Sequence, residues 1–208
     1  MNAVLNCLTT QHDVRLVLLA GFVSLLSTAV TTDLLSRART EAGYVWFCAS
    51  VFVAGSGIWA THFIAMLAYE PGVRVAFDLW TTVLSIFAGM LVVGLAFALL
   101  FYAERPRQFA APLAGVFIGI AVAVLHYVGM SGARVAAVVG WNWTLIGWSI
   151  VFGCVLGAIA MLLFDRAQTR GRRLVAAGVL SLAVCVHHFT GMGAILLDVS
   201  SPVAIADA

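Results

Sequence analysis

The chain has 208 residues, of which 63% are hydrophobic and only 10% charged, and its mean hydropathy is +1.07. Soluble domains run about 45–50% apolar and about 25% charged, so the composition excludes an ordinary soluble enzyme, a disordered chain and a nucleic-acid binder, and points to an integral membrane protein. The net charge of +2 arises from 11 arginines against 9 acidic residues, with no lysine and no basic patch.

The N-terminal stretch MNAVLNCLTTQHDVR lacks a basic leader and a cleavage site, so it reads as a tail rather than a signal peptide. Six apolar stretches follow, at 16–34, 45–69, 79–102, 111–131, 143–164 and 174–197. Each is long enough for a helix to cross a bilayer, and their continuous rather than alternating hydrophobicity favours helices over a barrel. The predicted fold is all-α, a bundle of six transmembrane helices in a single domain, 1–208. The polar breaks SRARTE (36–41), ERPRQ (104–108) and DRAQTRGRR (165–173) hold eight arginines, and the opposite side holds only Arg15, Arg74 and Arg134. The positive-inside rule places those three loops in the cytoplasm, and both termini with the loops near 70–78 and 132–142 outside. Trp80, Trp141, Trp143 and Trp148 fall at the outer ends. The residues from Asp198 onward leave no room for a seventh span. Four scattered cysteines, without a CxxC pair, predict neither a disulfide framework nor a zinc knuckle.

One internal repeat stands out. THFIAM (61–66), LHYVGM (125–130) and HHFTGM (187–192) share H-[FY]-x-[AG]-M, with His62, His126 and His188 spaced by 64 and 62 residues. That is the length of one helical hairpin, so the chain reads as three tandem two-helix repeats, near 10–70, 75–135 and 140–198. His and Met at i and i+4 share one helix face. All three motifs precede the outer end of their spans by five to nine residues, which is a depth of roughly 7–14 Å. His62, Met66, His126, Met130, His188 and Met192 can therefore converge on one level of the bundle as metal ligands. Imidazole suits several transition metals and thioether favours cuprous copper, so copper ranks first, ahead of haem and zinc. A single intramembrane histidine would read as a helix–helix hydrogen-bonding residue. Three copies at one depth read as a shared site. His187 points about 100° away from His188 and reads as a supporting or packing residue. His12, in the outer tail, covers the site, donates a fourth nitrogen, or is simply solvated. The pairs Gly115/Gly119 and Gly153/Gly157 read as close helix contacts.

These motifs, the block GIWATHFIAMLAY (57–69) and the short arginine-bearing loops resemble the MHYT family of bacterial integral membrane sensor domains. The histidine and downstream methionine are kept in all three copies, whereas the leading Met and the final Thr of the family name are poorly kept. The resemblance implies a copper site near the outer face of the bacterial inner membrane that responds to oxygen, carbon monoxide or nitric oxide. Members of the family often continue through a seventh helix into cytoplasmic cyclic-di-GMP enzymes; this chain departs from that arrangement, so it is expected to act alone, to signal through a separate partner or a homo-oligomer, or to be a piece of a longer protein. Two other classes compete with a sensor. A copper-dependent redox enzyme would need an open metal position. A metal or proton transporter would need polar residues below the histidines, where the even-numbered spans are nearly all apolar.

Overall fold

A computed structural model of the chain describes residues 2–41, 43–102 and 107–198, with side chains from residue 4 onward and, at the start of the fourth span, from residue 109. The cytoplasmic-loop assignment for most of ERPRQ, and the tail after Asp198, lie outside the described residues. The elements run α1 (Asn2–Thr10), α2 (Val14–Thr40), α3 (Tyr44–Leu67), β1 (Val75–Phe77), α4 (Leu79–Tyr102), α5 (Arg107–Ser131), β2 (Ala133–Val135), β3 (Val138–Trp141), α6 (Trp143–Asp165), α7 (Arg170–Met192) and β4 (Ile195–Asp198).

Six of these helices, α2 to α7, are long and apolar enough to cross a membrane. The protein is a multi-pass membrane protein built as a six-helix bundle. Local signals set several helix starts. Asp13 caps α2 by accepting from the Arg15 N–H at 2.7 Å, Asn142 caps α6 through the Leu145 N–H, and Thr169 caps α7 through the Arg172 N–H. Pro112 sits inside α5, a position that helices in lipid tolerate when neighbours re-satisfy the backbone.

Neighbouring helices pack in a closed ring, α2 through α7 and back to α2, with further contacts of α5 to α3 and to α7. The motif-bearing helices lie inside. Of their apolar windows, 44% (α3), 61% (α5) and 56% (α7) is buried, against 22%, 33% and 28% for α2, α4 and α6. The outer three present Phe22, Leu84, Phe87, Leu91, Phe152 and Val155 to the surroundings, as helices in lipid do. The two glycine pairs face each other across α5 and α6. A Cβ on Gly115 would collide with the Gly157 carbonyl, and one on Gly119 would stand 2.5 Å from the Cys154 backbone.

All three motif histidines lie at the same end of the bundle, opposite the arginine-bearing loops. At this end the structure departs from the expected loops and tail. The N-terminal stretch forms α1, which packs on α7. Segments 75–77 and 133–135 pair antiparallel, as do 138–141 and 195–198. The last apolar residues predicted as helix, Ile195–Leu197, are therefore strand: Gly193 ends α7 and the backbone turns to β3. His12 and Tyr69 make a single antiparallel bridge, framed by Asp13 N–H to the Ala68 carbonyl at 2.9 Å and Glu70 N–H to the Gln11 carbonyl at 2.8 Å. Each two-helix hairpin is thus closed by pairing of the segment before it with the segment after it. Backbone leaving a helix must find hydrogen-bond partners, and here it finds them within its own hairpin.

Candidate metal centre

Helices α3, α5 and α7 each carry one motif histidine to the bundle axis, where His62, His126 and His188 are 3%, 2% and 4% exposed. The Nδ1 atom of His62 lies 3.2 Å from that of His126 and 3.3 Å from that of His188. One nitrogen of each ring lies within 4.8 Å of the other two, and this is the group of metal-type donors found among the described residues. The rings stand nearly perpendicular to one another, with interplanar angles of 77°, 74° and 89°.

Hydrogen-bond accounting tests whether this is ordinary packing. In a neutral imidazole, Nδ1 of His62 carries either one proton or one lone pair in the ring plane, so it can bond only one of its two neighbours. The Nε2 atoms of all three rings are buried without a hydrogen-bond partner among the described residues. Six buried ring nitrogens thus share at most one hydrogen bond, where each unmet group costs about 1–3 kcal/mol. A cation that accepted the three Nδ1 lone pairs would remove the conflict at Nδ1, leaving the Nε2–H groups buried without partners among the described residues. Metal–imidazole bonds of about 2.0–2.1 Å at tetrahedral angles separate the nitrogens by about 3.3–3.4 Å, close to the spacing seen.

The motif's small residue has a visible role that the sequence left unassigned. A Cβ on Gly129 would stand 2.9 Å from Nε2 of His62, and one on Gly191 would stand 2.7 Å from Nε2 of His126. The glycine three residues after one histidine seats the imidazole of the preceding repeat.

Met66, Met130 and Met192 are buried together in one cluster one turn beyond the histidines, with Cys7 and Tyr69. Phe77, Ala133, Trp141 and Ile195, one from each strand, pack against it. Cys7 and Tyr69 escaped the sequence reading. Cys7 stood in a presumed tail, and only the fold of α1 over α7 brings it to the methionines. Burial pushes the Cys7 thiol up to about 11 and the Tyr69 phenol up to about 12.

The two remaining histidines are placed differently from the motif three. His12 is not a solvated tail residue but is buried, ring to ring with Tyr69 and Phe189. Burial lowers its pKa against the opposing Cys7 hydrogen bond. Its Nδ1–H donates to the Cys7 carbonyl at 2.8 Å, so the neutral ring keeps a lone pair at Nε2, which is buried without a hydrogen-bond partner among the described residues. It is not among the three donors that meet within 4.8 Å. His187 donates from Nδ1 to the Ser149 carbonyl at 2.9 Å and touches the His126 ring, with centroids 5.3 Å apart. It joins α7 to α6 and supports His126 from behind.

Below the histidines, α2 turns Ser24, Thr28, Thr31 and Thr32 inward. Ser181 donates to Ser24 at 2.9 Å, and Thr28 and Thr32 bond carbonyls of their own helix. Thr31 alone of these four lacks a hydroxyl partner among the described residues. The interior on this side is more polar than the even-numbered spans suggested, yet Thr28 and Thr32 are satisfied by their own helix and Ser24 and Ser181 by each other.

A family profile described as a bacterial signalling protein N-terminal repeat, MHYT, matches residues 55–112 and 119–178. The chain belongs to the MHYT family. The two MHYT matches begin 64 residues apart (119 less 55), the His62–His126 spacing, and the third motif at 187–192 lies beyond them. An uncharacterized signaling protein of Caulobacter vibrioides is 39% identical over 98% of this chain. From Pseudomonas aeruginosa, the cyclic di-GMP phosphodiesterase NbdA is 32% identical over 93% of the chain, and the bifunctional diguanylate cyclase/cyclic di-GMP phosphodiesterase MucR 28% identical over 90%. This MHYT chain spans only 25%, 25% and 28% of those three relatives. No solved structure matches it significantly.

Proposed function

We propose that this domain is the membrane sensor of a signalling protein and that His62, His126 and His188 hold a copper ion near the outer face of the bacterial inner membrane. The observation that carries the reading is the meeting of three buried imidazoles whose ring nitrogens share at most one hydrogen bond. The donor chemistry supports copper over harder ions. Imidazole is joined by the thioethers of Met66, Met130 and Met192 one turn away, which would add soft donors, and no carboxylate joins the donor group among the described residues. Bound there, copper supplies a one-electron redox couple and a position for oxygen, carbon monoxide or nitric oxide.

The protein's part is to turn that chemistry into a change of shape. Each imidazole belongs to a different inner helix, so any preference for a new spacing among the three acts on α3, α5 and α7 together. A signal must interact differently with two arrangements to shift their balance. The relatives named as cyclic-di-GMP enzymes support such a change being read by a cyclic-di-GMP enzyme in the same protein or a partner. Both ends of the chain fall outside in this reading.

Elemental analysis of protein purified without chelators is expected to find copper in stoichiometric amount, and the triple variant H62A/H126A/H188A is expected to lose it. Copper retained at the same level in that variant overturns the site. An absorption spectrum separates copper from haem in the same sample.

A further inference from the structure

At the arginine end, where the first and last spanning helices close the ring, a cavity of about 250 Å³ opens along the α2–α7 seam. Its wall includes Leu26, Val30 and Leu174, which are 54%, 40% and 49% exposed. Its mouth is made by Asp33, Arg170 and Arg173. Asp33 is shared by Arg173 at 3.4 Å and Arg37 at 3.2 Å, and Arg170 makes no ion pair among the described residues. The mouth thus sets two guanidinium groups against one carboxylate, an excess of one positive charge, and Arg37 shares that carboxylate from outside the lining. From Asp33 down to Leu26 is seven residues (33 less 26), about 10 Å of helix, all of it on a membrane-facing seam.

A groove with a cationic mouth and an apolar floor suits an amphipathic anion. We propose that this seam binds an anionic phospholipid, its phosphate on Arg170 and Arg173 and the start of an acyl chain along Leu26, Val30 and Leu174. A free phosphate would use the mouth but leave the apolar floor empty. A zwitterionic lipid would fill the floor, but its own cation would cancel the attraction. The bound lipid bridges α2 and α7, at the one seam of the ring that no loop of the chain connects. The site stands apart from the histidines and does not depend on what they hold.

Native mass spectrometry of the full chain in detergent, titrated with phosphatidylglycerol or phosphatidylcholine, tests it. Wild type is expected to retain phosphatidylglycerol preferentially, and R170Q/R173Q to weaken that binding about tenfold or more. Val30→Trp, which fills the groove and leaves every charge in place, is expected to weaken it as well. The control R166Q/R172Q removes the same charge from exposed arginines outside the groove and is expected to change little. Equal retention of both lipids by wild type overturns the proposal. So does an equal loss in R166Q/R172Q, which would reveal only diffuse attraction, or displacement of the lipid by millimolar inorganic phosphate, which would reveal a free-anion site.

Discussion

Gly129 and Gly191 set how closely the imidazoles approach one another. A methyl group at either position meets the tip of a histidine ring rather than backbone, so the ring gives way and the helix need not. Gly129→Ala is therefore expected to leave the protein folded but to turn His62, and to weaken copper binding about tenfold, within the range seen for residues that orient a ligand. A chelator-competition titration measures this, with Gly178→Ala, which meets nothing within 4 Å, as the control. A second residue-scale prediction concerns Asp78. The Thr81 backbone N–H at 2.9 Å and hydroxyl at 2.8 Å, helped by Arg134, hold its carboxyl below the usual range. A lowered folded pKa means that stability is fully present above the ordinary carboxylate value of about 4 and fades as pH falls through the lowered one. The gap in Tm between wild type and Asp78→Ala should therefore narrow between pH 7 and pH 3, and a constant gap would show that the charge contributes nothing.

Among the elements, α5 and α6 approach most tightly, glycine pair against glycine pair. Gly157→Ala forces a methyl group onto the Gly115 carbonyl and is expected to cost about 1–3 kcal/mol as overpacking, read as a lower melting temperature in detergent. Gly147→Ala on the same helix meets nothing and should be silent. This contact was legible in the sequence because small residues four apart in an apolar run have one common use. The six spans were legible for a similar reason, since lipid demands long apolar helices and little else. The elements at the histidine end were not. Val75–Phe77 and Ala133–Val135 are three residues each, too short to show a period of two, and their partners lie one hairpin away. The N-terminal α1 has no run long enough to stand out. The histidine–methionine motif was plain from its spacing, but the closeness of the three Nδ1 atoms and the seating glycines depend on how helices turn against each other, which no single helix encodes.

At the scale of the whole molecule, the bundle has a lid. Cys7 on α1, the four short strands and the His12–Tyr69 bridge cover the methionine cluster, leaving Met66, Met130 and Met192 at 3%, 7% and 1% exposure. Removing residues 2–10 should uncover that cluster without touching a spanning helix. Copper is then expected to leave faster to a water-soluble chelator, measured by stopped-flow or absorbance. An unchanged rate would mean that access runs by another route. The one-per-hairpin placement of the histidines has a consequence for biogenesis. A chain with two hairpins inserted has two imidazoles and no third, so the complete donor set exists only once α7 has joined the ring. If the proposed site is filled only when the set is complete, the ion would draw the equilibrium toward full insertion by mass action, and the yield of finished protein would then depend on metal supply.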